Sequence, residues 1–165
     1  MHFEKLDLND NAQREFFERV YNDAFPARER RPLKYLYRNY TEKDKPFTLW
    51  LIWDDGRMVG LVGAWEFPGL VYGEYFAVDQ TRRGQGLGQR ALALWLSHLP
   101  APALIEVEPP VDPLTGLDDP VARRQRAAHI ARMQQFYFLS QRFYLLLFPA
   151  RNRYKPCGTV QVRVL

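Results

Sequence analysis

Hydrophobic positions in the first 40 residues recur mostly at helical spacing. The stretch Phe3 to Leu8 alternates weakly and predicts a short strand. Asp10 or Asn11 can then cap a helix, because short polar side chains accept hydrogen bonds from first-turn N–H groups. The apolar face of that helix consists of Phe16, Phe17, Val20 and Tyr21. A second helix is predicted from Pro32, a favourable first-turn residue, to Tyr40.

The middle of the chain has the composition of strands separated by tight turns. Phe47 to Trp53 and Met58 to Trp65 are rich in strand-forming residues. Between them stands the turn-forming segment 54–57, Asp-Asp-Gly-Arg, which predicts a hairpin. Pro68-Gly69 turns the chain again, into a third strand from Leu70 to Val78.

The second half alternates between helical and strand patterns. Its predicted elements are a helix from the glycines near 86 to Leu99, a strand at 104–107, a helix at 121–140, and strands at 143–148 and 159–165. The element order β-α-α-β-β-β-α-β-α-β-β predicts an α/β fold with a mixed, mostly antiparallel and twisted central sheet flanked by helices. Neither a repeat nor a linker interrupts the sequence, which predicts one domain over residues 1–165.

Composition and charge narrow the class of protein. The chain is 47% hydrophobic and 25% charged, which is typical of a globular domain. Its start is polar and no segment approaches the roughly 20 apolar residues of a membrane span, so we expect a cytoplasmic protein. Cys157 is the single cysteine and excludes an internal disulfide. The net charge of +4 favours an anionic partner, either nucleic acid or a phosphorylated cofactor.

The segment Arg82-Arg83-Gly84-Gln85-Gly86-Leu87-Gly88 lies between the third hairpin strand and the next predicted helix. Glycines there allow a sharp turn and a close approach of the backbone to a ligand. The unpaired N–H groups of the first helical turn, together with the arginines, suit a diphosphate. The segment therefore predicts an anion site.

Two common phosphate motifs do not fit this segment. A dinucleotide fingerprint needs a glycine where the chain has Gln89, and a P-loop needs Gly-Lys-Ser/Thr. Residues 83–88 instead match R/Q-x-x-G-x-G/A, the acetyl-CoA pyrophosphate motif of the GNAT family of N-acetyltransferases. The preceding strand, Glu74 to Asp79, and the predicted order of elements also resemble that family over nearly the whole chain.

The resemblance implies an enzyme that binds acetyl-CoA as co-substrate and needs no metal. A primary amine of an unidentified small molecule or peptide would attack the thioester directly in a ternary complex. The backbone near Phe76 to Val78 would pair with the pantetheine arm, and an N–H near Val78 would stabilise the oxyanion. Arg82, Arg83 or Arg90 could contact the 3′-phosphate. The implied cofactor-binding residues are Phe76, Ala77, Val78, Arg83, Gly84, Gln85, Gly86, Leu87, Gly88 and Gln89.

Acid and base candidates come from the strands and from the last helix. Glu74 is the only carboxylate inside its strand, where alternation would place it on one face with Tyr72, Phe76 and Val78, and it is the candidate base. Glu106 and Glu108 share a face of the next strand and could bind a cationic substrate. The family commonly has a tyrosine in a segment similar to F-Y-x-x-x-G-F, which Tyr137 matches without the glycine, so Tyr137 is the candidate acid.

Three functions stay open at this point. The first is an N-acetyltransferase, and the second is an acyl-CoA-binding sensor or scaffold that has lost catalysis. The third, nucleic-acid binding, is disfavoured because the basic residues form no recognised motif or concentrated stripe. His98 and His129 lack a partner motif and are expected to be non-catalytic. A monomer and a homodimer are equally compatible with the sequence.

Overall fold

The computed structural model describes residues 1–27 and 29–107 and the strand at 143–147. Its helices and strands are β1 (His2–Lys5), α1 (Asn11–Ala24), α2 (Leu33–Thr41), β2 (Phe47–Asp54), β3 (Arg57–Phe67), β4 (Leu70–Val78), α3 (Leu87–His98), β5 (Ala103–Val107) and β6 (Phe143–Leu147). The predicted order of elements is confirmed over these residues. The helix predicted at 121–140 and the strand predicted at 159–165 lie outside them.

Six strands of the described residues form one sheet in the order β1-β2-β3-β4-β5-β6. The three pairings from β1 to β4 are antiparallel, whereas β5 is parallel to β4 and β6 is parallel to β5. A helical crossover, α3, makes the parallel step from β4 to β5 possible. The mixed, mostly antiparallel sheet predicted from the sequence is therefore confirmed.

Two tight turns fix the register of the antiparallel strands. Asp55 and Gly56 both have positive φ, 50° and 67°, as the type I′ hairpin turn between β2 and β3 requires. Gly69 has φ 79° and follows Pro68, so glycine occupies the left-handed position of the turn between β3 and β4. Both turns occur where the sequence predicts them.

The N-terminal strand is predicted to run to Leu8, but β1 ends at Lys5. Beyond Lys5, the Leu6 N–H still donates to the Leu49 carbonyl at 3.0 Å. Asp10 caps α1, and its side chain accepts hydrogen bonds from the N–H groups of Ala12 and Gln13. Asp10, rather than Asn11, is thus the capping residue.

Helices cover both faces of the sheet and create two hydrophobic clusters. The α1/α2 cluster joins residues of both helices to β2, β3 and β4, and includes Phe17, Tyr21, Leu36, Leu61, Tyr75 and Ala77. The α3 cluster fills the opposite face and includes Val62, Val71, Leu92, Trp95 and Ile105. Within the described ranges, no helix is both long and apolar enough to cross a membrane.

Candidate active site

Strand β4 contains a β-bulge at Glu74. Gly63 of β3 lies opposite Tyr75, and Ala64 lies opposite Gly73, so Glu74 has no register partner on β3. An extra residue of this kind bends the strand and changes which face the following side chains occupy. Side chains after the bulge therefore point to the opposite face of the sheet from the one that regular alternation along β4 would give them.

The sequence predicts that Glu74 shares one face of β4 with Phe76 and Val78, and the bulge makes this prediction wrong. Phe76 and Val78 pack against the α3 cluster. Glu74 instead contacts Trp65, which packs against the α1/α2 cluster on the other side of the sheet. The unpaired residue at the bulge is the physical reason, because strict two-residue alternation holds only in a regular strand.

Beyond the bulge, β4 and β5 separate. They pair only at Val71–Gly73 with Ala103–Ile105, whereas β4 continues to Val78. In the part of the chain that the structure describes, the second half of β4 pairs with β3 alone. A gap thus opens between the two parallel strands, along one edge of β4.

Backbone groups of β4 point into this gap. The Asp79 N–H donates to the Val59 carbonyl at 2.8 Å, which fixes one hydrogen-bonded pair between β3 and β4. Antiparallel pairs alternate between bonded and non-bonded. Ala77 consequently bonds to β3, while the backbone N–H and C=O groups of Phe76 and Val78 face away from β3. Phe76 and Val78 are two of the three strand residues predicted to contact pantetheine and the oxyanion, whereas the backbone of the third, Ala77, is directed at β3.

Glu74 lies between two donors at one end of the gap. Its Oε1 accepts from Arg31 Nε at 2.7 Å and its Oε2 from Trp65 Nε1 at 2.7 Å. The carboxylate is 5% exposed, whereas the Arg31 side chain is 44% exposed. Within the described residues, these two donors occupy two of the about four acceptor sites of the carboxylate.

Two tyrosine hydroxyls hold the connection between α1 and α2 close to the bulge. The Arg31 N–H donates to the hydroxyls of Tyr21 at 2.9 Å and Tyr75 at 3.3 Å. Burial raises the pKa of both tyrosines, so both hydroxyls stay protonated at neutral pH. Neither Arg31 nor Trp65 stands out in the sequence, since their contacts with Glu74 are long-range.

The glycine loop has the geometry of an anion site. Gly84 and Gly86 have φ 82° and 70°, and a Cβ on either would meet no atom within 4 Å in the described part of the molecule. Gly86 is the N-cap of α3 and offers no side-chain cap. The first helical bond runs from the Arg90 N–H to the Gly86 carbonyl at 3.1 Å, so the N–H groups of residues 87–89 face the open space.

The three arginines near this loop differ in their surroundings. Arg82 Nε is buried and lacks a hydrogen-bond partner among the described residues. Arg83 is exposed. Arg90 Nη2 instead forms an ion pair with Asp54 Oδ2 at 2.7 Å. The first-turn N–H groups and the exposed Arg83 offer donors and positive charge to an anion, so the loop has the chemistry that the phosphates of CoA require.

Asp79 holds the start of the glycine loop through hydrogen bonds to Thr81. It is not among the site residues predicted from the sequence. Asp79 is buried, with 5% exposure. Its Oδ2 accepts from Arg19 Nη2 of α1 at 2.6 Å. Its Oδ1 accepts from the N–H and hydroxyl of Thr81 at 3.0 and 2.9 Å. An Asp-x-Thr sequence directly after a strand was the available signal.

We expect Asp79 to make the fold acid-sensitive. Its hydrogen bond with Arg19 lowers the pKa of this carboxyl from 3.8 to about 2. A lowered pKa stabilises the fold above the unfolded-state value, so the contribution is lost as the pH falls from 4 towards 2. Asp79→Asn should cost about 1–2 kcal/mol at pH 6 and about half of that at pH 3, which lies between the unfolded-state and folded-state pKa values, by urea unfolding. The exposed Asp44→Asn is the control and should cost nothing at either pH; equal Asp79→Asn losses at both pH values would contradict the assignment.

The other predicted residues are placed as follows. Glu106 lies in β5, with its backbone in register with Leu146 of β6. Glu108, Tyr137, His129 and Cys157 lie outside the described residues. His98 is exposed at the end of α3, with Nδ1 2.8 Å from the Leu94 carbonyl of the same helix. No group of three metal-ligating side chains occurs in the described part.

Comparison with known proteins identifies the family. The model of the acetyltransferase (GNAT) family matches residues 14–112. The match covers more than half of the chain, which therefore belongs to the GNAT acetyltransferase family and is an acyltransferase. Enzymes of this family use acetyl-CoA as the acyl donor. No curated protein matches the chain with significance.

Solved structures agree with this assignment. A protein of Bacteroides thetaiotaomicron described as a GNAT-family acetyltransferase is 28% identical, with a TM-score of 0.67, over 81% of this chain and 70% of that one. An aminoglycoside acetyltransferase from an uncultured soil metagenomic sample, in complex with trehalose, is 13% identical with a TM-score of 0.50, over 98% and 96% of the two chains. The second likeness concerns the fold alone.

Proposed function

We propose that this protein transfers the acetyl group of acetyl-CoA to a primary amine of a small molecule or peptide. The observation that supports the proposal best is the continuity of two ligand-facing surfaces. The open edge of β4 leads directly into the glycine loop and the uncapped start of α3. Together they offer backbone donors to an extended arm and then to a diphosphate, which is the order of groups in CoA.

The loop from Arg83 to Gln89 would hold the pyrophosphate. First-turn N–H groups and the helix dipole favour negative charge there. The left-handed Gly84 and Gly86 keep the approach free of side chains. Arg83, which is exposed beside the loop, would contact a phosphate oxygen. The ion pair with Asp54 makes Arg90 a weaker candidate for the 3′-phosphate.

The edge of β4 would hold the pantetheine arm and the thioester. Amide groups of pantetheine can pair with the outward-facing backbone groups of Phe76 and Val78, as an added strand does. The Val78 N–H would then donate to the thioester oxygen. That bond strengthens as negative charge develops during attack, so it lowers the barrier.

Glu74 and Tyr137 are our candidates for proton transfer. A lysine-like amine is only about 0.04% neutral at pH 7, so its proton must be removed before it attacks the carbonyl carbon. Glu74 would take that proton directly or through water, with the acceptor sites that Arg31 and Trp65 leave. The C–S bond then breaks, and the CoA thiolate takes a proton from Tyr137. Glu106 and Glu108 remain candidates for attracting a cationic amine.

A turnover assay combined with binding calorimetry tests the proposal. We expect CoA to bind, and thiol release from acetyl-CoA to depend on an added amine from a panel of amino sugars, polyamines and peptides. Acetyl-CoA incubated with protein but without amine is the control for hydrolysis. CoA binding without thiol release for any amine would favour a non-catalytic acyl-CoA-binding module.

The cytoplasmic location and the oligomeric state stay predictions.

A further inference from the structure

An ion pair between an exposed arginine and a buried aspartate connects helix α1 to the start of the glycine loop. Arg19 projects from α1 and its Nη2 donates to Asp79 Oδ2 at 2.6 Å, across 60 residues of sequence. Asp79 Oδ1 accepts from the Thr81 N–H and hydroxyl, at the first turn of the loop. One carboxylate thus joins the helix, the end of β4 and the loop.

The backbone of Asp79 is held as firmly as its side chain. Its N–H donates to the Val59 carbonyl at 2.8 Å, and its own carbonyl accepts from the Arg82 N–H at 2.9 Å. Gly60 lies beside this point, and a Cβ there would be 2.3 Å from the Ala77 carbonyl oxygen, so β3 and β4 approach very closely. The end of β4 therefore has little freedom to move independently of Asp79.

Asp79 stands between the two functional backbone segments. Val78, whose N–H faces the gap, precedes it directly, and the segment from Arg82 to Gly88 follows within a few residues. A displacement of Asp79 would move the thioester-binding amide and the phosphate-binding amides together. Hydrogen-bond donors for developing charge lose much of their effect when they shift by even a fraction of an ångström.

We infer that Arg19 and Asp79 are positioning residues, which hold the Val78 amide and the glycine loop in the arrangement that binds acetyl-CoA. This inference rests on the proposed function. Arg19 acts through Asp79, and Asp79 acts through its own backbone and through Thr81. Helix α1 thus contributes to the acetyl-CoA site through Arg19, although α1 and α3 lie on opposite faces of the sheet.

The test variant is Arg19→Gln, at a position that is 46% exposed and outside both hydrophobic clusters. We expect the KM for acetyl-CoA and the Kd for CoA to rise about fivefold, with the KM for the amine unchanged. Arg19→Lys, which keeps the charge, should recover most of the affinity. Thr81→Ala, an exposed position, removes one Asp79 contact from the loop side and should raise the CoA Kd about twofold.

Arg38→Gln is the matched control. Arg38 Nε pairs with Glu42 Oε1 at 2.6 Å on α2, so the variant breaks a helical arginine–carboxylate pair far from the loop, and CoA affinity should not change. A loss of melting temperature in Arg19→Gln and Thr81→Ala, without any change in CoA affinity, would overturn the inference and leave the proposed function intact. Wild-type protein that fails to bind CoA would overturn both.

Discussion

Exchange of Glu74 for glutamine is expected to lower kcat about 100-fold, with the Kd for CoA unchanged. Glutamine keeps a carbonyl oxygen for the Trp65 indole N–H, but it cannot take a proton from the attacking amine. Amine-dependent thiol release at saturating acetyl-CoA measures kcat, and calorimetry with CoA measures the Kd.

Glu18→Gln is the control for this substitution. Glu18 Oε1 accepts from the Tyr37 hydroxyl at 2.9 Å between α1 and α2, so the same chemical change is made at a part-buried carboxylate away from the gap. Both variants are expected to fold, and only Glu74→Gln should be slow. Full turnover by Glu74→Gln would remove Glu74 as the base and would assign it to holding Arg31 and Trp65.

The second large effect is expected from Gly86→Ala, which should raise the Kd for CoA about tenfold. The methyl group would project into the open space above the start of α3, which is the proposed pyrophosphate site. Left-handed backbone also costs alanine about 1 kcal/mol relative to glycine, so a stability loss will accompany the binding loss. The two losses have to be separated experimentally.

Gly69→Ala separates them. Gly69 has φ 79° and open space around its Cβ position, but it lies in the turn between β3 and β4 and not in the glycine loop. Thermal unfolding should show similar destabilisation of both variants, whereas calorimetry with CoA should show a loss for Gly86→Ala alone. Equal CoA affinities for the two variants would place the pyrophosphate elsewhere.

Local chemistry explains why so much of the fold is predictable. The Asp10 cap, the Pro32 start of α2 and the Asp55-Gly56 turn each depend on residues within four positions of one another. The glycine loop is likewise local, because its left-handed residues and the helix start are adjacent in sequence. Such features need no knowledge of the tertiary structure.

The bulge in β4 is harder to predict, because one extra residue in a strand leaves the composition almost unchanged. The sequence from Leu70 to Val78 is equally compatible with unbroken alternation. Gly73 was the available signal, since an isolated glycine in a strand often marks a bulge or a close contact. A Cβ at Gly73 would in fact lie 2.9 Å from the Trp95 ring.

Contacts between distant residues account for what could not be predicted at the site. Arg31 and Glu74 are 43 residues apart, and Arg19 and Asp79 are 60 apart. Each arginine meets its carboxylate only when α1 and the α1–α2 connection pack on the sheet. Arginines occur throughout the sequence, so nothing local separates these two from the others.

The bulge also has an evolutionary consequence. Residues on either side of Glu74 are fixed by the two clusters, Tyr75 and Ala77 on one face and Phe76 and Val78 on the other. Glu74 belongs to neither cluster, but its Oε2 accepts from Trp65, which packs against the α1/α2 cluster. Replacements that keep an acceptor for the Trp65 indole N–H would therefore leave both clusters packed. If Glu74 acts on the acceptor as proposed, relatives of this chain could diverge in the amines they acetylate through exchanges at this one position.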